Sequence, residues 1–367
     1  MNPENIFSTE ATAIVDIQHQ HVISIAQVRH MPFNTLDFLS VHSAYEKNLL
    51  KVEEVSDQGN VNRLLLTNLS DDYIFIMDGD ILKGAKQNRV ANTSILVAAG
   101  VKLVIPVSCV EQGRWAYDRD DLMPSEEVAY RKIREQKARD IYRNRAQGSD
   151  KHNVDQRQVW GHVNNYLSDL GEHSATASHS DAFESKRMDI GKMINGFSVR
   201  EETNGLAYFI NRKLCGIEIF NREDVYSDYF RRLLNSIAMD AQIVMRRSNR
   251  ADTGLLSAGE VNAVINDTVA YYNSNLHAVD VCKGVCAGEE HRLVTDREVY
   301  YDLSCDGETV HQSIMAYEKD DSFDGSRDPD GPVDPEDRYA GRASEKRRYL
   351  EHYIGRKTEQ EAPLTSL

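Results

Sequence analysis

The residue types best suited to chemistry lie in two short blocks, residues 79–89 and 106–115. The first block, GDILKGAKQNR, contains Asp80, Lys86, Gln87 and Arg89. The second, PVSCVEQGRW, contains Cys109, Glu111, Arg114 and Trp115. Arginine and lysine bind phosphate oxygens, and a carboxylate near a sheet interior is a good general acid or base because burial raises its pKa. The two blocks therefore indicate a site for a phosphorylated ligand.

Neither block is a standard nucleotide motif, and no metal site is predicted. Gly79-x4-Gly84 resembles the start of a phosphate-binding P-loop, but Gln87 stands where a serine or threonine would bind magnesium. Cys282-x3-Cys286 lacks the two-residue spacing typical of zinc sites, and no His-x3–5-His follows it. The sequence thus predicts neither a metal nor a cofactor.

The same residues also have purely structural interpretations. Lys86 and Arg89 fit solvated surface charges, and Cys109 fits a small hydrophobic residue of a core. Glu111 and Arg114 fit an ion pair that braces a turn, either within the chain or at an oligomer interface. These alternatives remain open at the level of sequence.

The surrounding pattern predicts the elements that position the two blocks. Strands are predicted at residues 21–27, 61–67, 73–77, 94–98 and 101–110, and hairpins at 206–220 and around Asp306-Gly307. Helices are predicted at 125–145, with Ser125 as N-cap, at 156–170, at 225–246 and after Ser257. The strands at 94–98 and 101–110 would return the chain to one sheet end, so we expect the two blocks to converge on one cleft.

These elements predict an α+β fold with a mixed, largely antiparallel sheet flanked by helices. Residues 61–67, 73–77 and 101–110 are the expected centre of that sheet, and residues 1–318 the single main domain. Residues 319–337 contain eight acidic and two basic residues. This composition predicts that the tail, residues 319–367, is mostly disordered.

Composition excludes several classes of partner and location. The net charge of −15 disfavours non-specific binding to nucleic acid or to an anionic membrane. No run of about 18 uncharged apolar residues and no secretory signal is present, so we expect a cytoplasmic protein. The odd number of cysteines, five, favours free thiols over a disulfide framework.

Several segments together resemble one bacterial family. They are GAKQNR at 84–89, IPVSCVEQGRW at 105–115, DQRQVW at 155–160, the Ser174-x-Thr176 loop and the Val310-His311 hairpin. The family is the ADP-ribosylglycohydrolase (ARG) and rhodanese-phosphatase-superfamily-associated domain, and the resemblance covers about residues 20–318. It implies a role beside NAD or ADP-ribose chemistry, with an enzymatic activity that is not defined.

With that resemblance, the leading hypothesis is a hydrolase or transferase acting on an ADP-ribose-like nucleotide. The expected catalytic residues are Glu111, Cys109, Gln87 and Asp80, and the expected ligand-binding residues are Lys86, Arg89, Arg114, Trp115, Gly84 and Gly113. Glu111 would be the acid or base, Gln87 would orient a water or a ribose hydroxyl, and Trp115 would stack on a base. In a variant, Cys109 is the nucleophile. The alternative function is a non-catalytic module that binds NAD or ADP-ribose-type nucleotides.

Overall fold

The computed structural model describes residues 10–148, 152–247 and 252–316. The tail at 319–367 lies outside the described residues, so its disorder stays a prediction. Within the described part the fold is α+β with largely antiparallel sheets, which confirms the predicted fold class.

The largest sheet has eight strands, all in antiparallel pairs. In spatial order they are β1 (Thr12–Gln20), β2 (Ile23–His30), β12 (Gly205–Ile210), β13 (Lys213–Phe220), β17 (Glu308–Ala316), β16 (Glu298–Cys305), β15 (Glu289–Val294) and β14 (Asp280–Lys283). Alternate residues of a strand face opposite sides of a sheet. Ile25 and Leu206 accordingly pack in the main core with α5 (Glu223–Arg247), whereas Ala26 and Ala207 pack in a second core with α6 (Ala258–Ser274).

The second sheet carries both sequence blocks, and the third carries neither. The second has six strands in the order β11 (Leu122–Val128), β7 (Asp80–Gly84), β8 (Arg89–Ala91), β10 (Lys102–Cys109), β5 (Arg63–Asn68) and β4 (Leu50–Glu54). The third contains β3 (Phe38–Ser40), β6 (Tyr73–Ile76) and β9 (Ile95–Val97), with β3 and β6 parallel. The prediction that residues 73–77 share a sheet with 61–67 and 101–110 is therefore wrong.

Four further helices are α1 (Val41–Glu46), α2 (Arg131–Ala146), α3 (Gln156–Leu170) and α4 (His179–Ile194). The predicted helix 156–170 is confirmed, and the Asp155 side chain caps it by accepting from the Arg157 N–H. The capping box of α6, formed by Ser257 and Glu260, is also confirmed. The sequence did not predict α4, because its start lies in a run of small polar residues that indicated only a loop.

The predicted helix start at Ser125 is wrong. Residues 122–128 form β11 beside β7, and α2 begins only at Arg131. Ser125 is buried, its carbonyl accepts from Arg232 Nε at 2.8 Å, and its hydroxyl contacts Glu127. These contacts occupy the hydroxyl and the carbonyl of Ser125, which would otherwise favour an N-cap. Packing in the folded protein thus overrides the local helix preference.

No helix in the described part of the chain is long and apolar enough to cross a membrane.

Candidate functional site

The two sequence blocks meet because β8 and β10 pair directly. In this antiparallel register Arg89 lies opposite Cys109, so both side chains leave the sheet on the same face. The expected route through one sheet is wrong, because β9, at residues 95–97, belongs to the three-stranded sheet. The blocks come together through a local strand pair and not through a return across two strands.

A tight turn joins β7 to β8 and carries Lys86, Gln87 and Asn88. Gly84 adopts a φ of 128°, and a side chain there would collide with the carbonyl oxygen of Asp121. The Asn88 side chain closes the turn, since its Oδ1 accepts from the Gly84 N–H at 3.1 Å. Gly84 therefore contributes to the site through its backbone conformation.

Glu111 and Arg114 fasten this turn to the end of β10. Arg114 Nη2 lies 2.7 Å from Glu111 Oε2, and its guanidinium also donates to the Ala85 carbonyl at 2.7 Å. The same carboxylate oxygen of Glu111 accepts the Asn88 backbone N–H at 3.0 Å. This geometry matches the structural interpretation of Glu111 and Arg114 as an ion pair that braces a turn. Most N–H groups of the Arg114 guanidinium already donate to acceptors of the protein.

The loop before α4 packs against Gly113 and Glu111. The Gly113 N–H donates to the Thr176 carbonyl at 2.6 Å, and Thr176 Oγ1 donates to Glu111 Oε1 at 3.1 Å. A Cβ at position 113 would lie 2.7 Å from the Thr176 Cα, so this close approach requires glycine. Both carboxylate oxygens of Glu111 thus have protein donors.

Arg89 is fully buried, and part of its guanidinium has no hydrogen-bond acceptor within the described ranges of the chain. Its Nη2 lies 3.5 Å from Glu54 Oε1, with the two side chains 0% and 3% exposed. None of the described residues accepts a hydrogen bond from Nε or Nη1 of Arg89. Burial lowers the pKa of Arg89, and the nearby Cys109 and Glu54 oppose that shift. Burying a guanidinium whose Nε and Nη1 have no acceptor costs free energy of folding. An additional acceptor at these two nitrogens would reduce that cost.

Gln87 supplies a buried polar atom of the opposite kind. Its Nε2 donates to the Glu111 carbonyl at 3.0 Å, whereas its Oε1 has no donor among the described residues. The side chain is buried. An unsatisfied amide oxygen of this kind accepts readily from a hydroxyl or a water.

Two aromatic side chains cover the cations of the first block. Lys86 Nζ lies 5.4 Å from the ring centroid of Trp115 and 5.2 Å from that of Tyr117. Arg89 Cζ lies 5.7 Å from the Trp115 centroid. Trp115 itself is 47% exposed, although Lys86 and Arg89 are buried. Cation–π attraction thus holds an indole between the buried cations and solvent.

Cys109 lies buried at the end of β10, with its backbone held by α3. The Gln156 side chain accepts from the Cys109 N–H and donates to its carbonyl, both at 2.8 Å. Burial raises the pKa of the Cys109 thiol, and the charge of Arg89 opposes this only in part. Because the thiolate is the nucleophilic form, this environment suits a packed thiol better than a nucleophile.

Asp80 belongs to a separate buried group. Its Oδ2 accepts from the Tyr229 hydroxyl at 2.5 Å and from the Met77 N–H at 2.7 Å, and its Oδ1 lies 2.6 Å from Arg232 Nη2. Tyr229 and Arg232 are on α5. The structure therefore groups Asp80 with α5 and not with the residues that surround Arg89.

Two basic residues of α2, Arg134 and Lys137, are buried in another ionic network. Arg134 Nη1 lies 2.5 Å from Glu218 Oε1, and Lys137 Nζ lies 2.5 Å from Asp78 Oδ1. His311 Nε2 lies 3.0 Å from the other oxygen of Glu218. Burial would raise the pKa of Glu218, but Arg134 and His311 hold it below its usual value. This network joins the six-stranded sheet to the largest sheet, which places His311 in a structural contact.

Residues 12–315 match the model of a protein family described as the ARG and Rhodanese-Phosphatase-superfamily-associated Protein domain. The chain belongs to this family. The matched range contains both sequence blocks, the Thr176 loop and the last hairpin, so the resemblance stated from the sequence is confirmed. No curated protein and no solved structure matches the chain.

Four residues of the site in this family domain were missing from the predicted set: Glu54, Asn88, Tyr117 and Thr176. Asn88 and Thr176 lie inside the segments that carry the family resemblance, so their positions were a usable signal. Glu54 had none. It ends the edge strand β4, and it meets Arg89 only because β4, β5, β10 and β8 are neighbours in one sheet.

Proposed function

We propose that the site around Arg89 binds a phosphate-containing nucleotide of the NAD or ADP-ribose type. The observation that carries this proposal is the buried Arg89 guanidinium, whose Nε and Nη1 have no acceptor among the described residues. Phosphate oxygens match the planar fork of arginine in charge and geometry. A bound phosphate would supply the acceptors that this buried cation lacks.

The local charge also supports an anionic ligand. The site contains the cations Lys86, Arg89 and Arg114 and the carboxylates Glu54 and Glu111, so one positive charge is in excess in a chain of net charge −15. Lys86 and Arg89 lie beneath the indole of Trp115. Entry of a ligand would require Trp115 to swing outward, and its partial exposure leaves room for that movement.

The nucleotide part of the proposal depends on two further features. Trp115 offers an aromatic face on which a base stacks, and the free Oε1 of Gln87 suits a ribose hydroxyl. The family description associates this domain with ARG proteins, which fits an ADP-ribose-type ligand. In this arrangement Arg89 binds the phosphate, Gln87 the ribose and Trp115 the base.

Hydrolysis or group transfer on the same ligand is the second candidate. It is favoured by the position of Glu111, whose Oε1 accepts from the Thr176 hydroxyl alone among the described residues, a contact that a substrate hydroxyl could replace. Against it, the other oxygen of Glu111 is ion-paired with Arg114 and accepts the Asn88 backbone N–H. A substrate would have to displace these partners to reach that oxygen. The geometry therefore favours binding as the primary function.

Calorimetric titration with ADP-ribose, ribose 5-phosphate and adenosine tests the binding proposal. We expect the two phosphorylated ligands to bind and adenosine not to bind. Arg89→Ala should weaken ADP-ribose binding by about 30-fold or more, equivalent to about 2 kcal/mol, because a desolvated charge pair is lost. Arg89→Lys should lose less, since the charge remains.

Arg157→Ala is the matched control, because the Arg157 side chain is 90% exposed. Each variant needs a thermal unfolding curve, since Arg89→Ala also leaves Glu54 without its partner. Equal affinity of wild type and a folded Arg89→Ala protein for ADP-ribose would contradict the proposal. So would adenosine binding as tightly as ADP-ribose.

Glu111→Gln separates the two candidate functions. Glutamine keeps the shape of the side chain and removes its proton transfer. If the wild-type protein releases ribose or phosphate products from ADP-ribose, and Glu111→Gln binds but does not release them, the protein is an enzyme. If the wild-type protein binds the nucleotide and leaves it intact, it is a binding module.

A further inference from the structure

A histidine, a cysteine and a glutamate from distant parts of the sequence meet at one edge of the largest sheet. Cys282 on β14 and Glu290 on β15 are direct partners in the antiparallel register. His152, just before α3, places its Nε2 3.0 Å from Glu290 Oε1. One nitrogen, one sulfur and one oxygen atom of the three side chains all lie within 4.8 Å of one another.

The cluster lies beside an open groove of about 680 Å³. His152 lines this groove, and so does Lys283, the residue after Cys282. The other polar residues in its lining include Asn62, Asn92 and Asn153. The carbonyl of His152 accepts from Asn92 Nδ2 at 3.2 Å, which anchors the histidine backbone. The groove therefore reaches His152, whose Nε2 contacts the buried Glu290.

We propose that His152, Cys282 and Glu290 bind a divalent transition-metal ion of the zinc type. Imidazole, thiolate and carboxylate are the three donor types that Zn²⁺ accepts in proteins. Magnesium and calcium prefer sets made of oxygen alone, and the thiolate therefore selects against them. This inference concerns a site separate from Arg89 and does not depend on the proposed nucleotide binding.

The distances are close to what such an ion requires. Zinc–ligand bonds of about 2.0–2.3 Å put the ligand atoms of a tetrahedral site about 3.3–3.8 Å apart. The observed limit of 4.8 Å needs only small rotations of side chains to reach this range. In the metal-bound form, His152 and Glu290 exchange their direct hydrogen bond for bonds to the ion.

Arg292 orients the carboxylate ligand. Its Nη2 lies 2.8 Å from Glu290 Oε2, which leaves Oε1 directed toward His152. Outer contacts of this kind commonly fix the orientation of metal ligands. The buried carboxylate thus faces a cation on one side and the imidazole of His152 on the other.

The thiol of Cys282 gives up its proton to solvent when the ion binds, because the thiolate is the form that ligates a metal. The thiolate and the carboxylate then carry two negative charges against the 2+ charge of the ion. The Arg292 guanidinium, which is paired with Glu290, leaves the site with a net charge of +1. Three protein ligands leave a fourth position for water or for a small ligand from the groove, as in open zinc sites.

Cobalt titration of the full-length chain, stripped of metal with a chelator, tests this inference. Co²⁺ replaces Zn²⁺ in such sites and gives a thiolate-to-metal charge-transfer absorption band. We expect one Co²⁺ per chain, the charge-transfer band, and displacement by Zn²⁺. Cys282→Ser should abolish the band and weaken Zn²⁺ binding about 100-fold or more, and Glu290→Gln should weaken it while the band persists.

Cys286→Ser is the matched control, because Cys286 is a free cysteine four residues away that packs against the main core. It should keep both the band and the affinity. Thermal unfolding without metal shows whether each variant is folded. The inference is overturned if the wild-type protein gives no charge-transfer band at millimolar Co²⁺, if Cys282→Ser keeps the band, or if Cys286→Ser loses it.

Discussion

Replacing Arg114 with Ala distinguishes a residue that braces the site from one that binds a ligand. The Arg114 guanidinium donates to five described acceptors: the carbonyls of Gly84, Ala85 and Ala116, the side-chain oxygen of Asn88 and the carboxylate of Glu111. These acceptors hold the turn at 84–88 against the end of β10. We therefore expect Arg114→Ala to lower the free energy of unfolding, in contrast to a residue at the mouth of a cleft.

The expected magnitude follows from the exposure of the ion pair. The side chains of Arg114 and Glu111 are 17% and 7% exposed, so the pair is mostly shielded from solvent. Breaking a fully buried pair costs about 3–5 kcal/mol. Glu111 keeps its hydrogen bonds from Asn88 and Thr176, which places the expected cost near the lower end, about 3 kcal/mol. At about 2 °C per kcal/mol for a large domain, Tm should fall by about 6 °C.

Thermal and urea unfolding followed by circular dichroism provide the measurement. Arg157→Ala, at an exposed position, should change the free energy of unfolding by less than about 0.5 kcal/mol. Arg114→Lys should lose less free energy of unfolding than Arg114→Ala, because lysine keeps the positive charge but lacks the planar guanidinium. The reasoning is refuted if Arg114→Ala unfolds like the wild type while its affinity for ADP-ribose falls, since Arg114 would then serve the ligand.

Three further predictions concern other parts of the molecule. Gly113→Ala should cost about 1–3 kcal/mol in unfolding measurements, because its Cβ would lie 2.7 Å from the Thr176 Cα; an unchanged Tm would contradict this. Burial lowers the pKa of His179 from 6.5 to about 3. Only the unfolded chain takes up this proton as the pH falls below 6.5, so the contribution of His179 to stability is full above pH 6.5 and falls by about 1.4 kcal/mol per pH unit down to about pH 3. The free energy of unfolding in urea, measured at pH 7 and pH 5, should change less with pH in His179→Gln than in the wild type. In the exposed control His173→Gln it should change as much as in the wild type. Removal of residues 319–367 should leave Tm within a few degrees, because this acidic segment has little apolar area to bury; loss of folding on truncation would show that the segment is docked.

The sequence predicted the elements whose signals are local. The three- and four-residue spacing of apolar side chains predicted α5, and the buried residues of that helix run from Val225 to Ile243. The box of Ser257 and Glu260 predicted the start of α6, and Asp306-Gly307 predicted the hairpin of β16 and β17. In each case the interacting residues are only a few positions apart, so a short stretch of sequence is enough to show them.

The sequence also identified the site residues that lie in the two blocks, but not how they are used. Gln87 and Arg114 each contact Glu111, yet Asp80 faces α5 and Arg114 is occupied by acceptors of the turn. The basic residues Arg134 and Lys137 of α2 are likewise visible in the sequence, which does not show that they are buried. The sequence shows which charged side chains are present. The partner of each of them depends on which helices and strands pack together.

Only the tertiary structure decided the pairings between residues far apart in the chain. The register of β8 with β10 brings Arg89 beside Cys109, and the order of the six-stranded sheet brings Glu54 to Arg89. The meeting of His152 with Glu290, 138 residues apart, has no local signal at all. Such contacts form because burial of the sheets and helices as a whole outweighs local preference, so the sequence determined the inventory of chemical groups and the fold determined their neighbours.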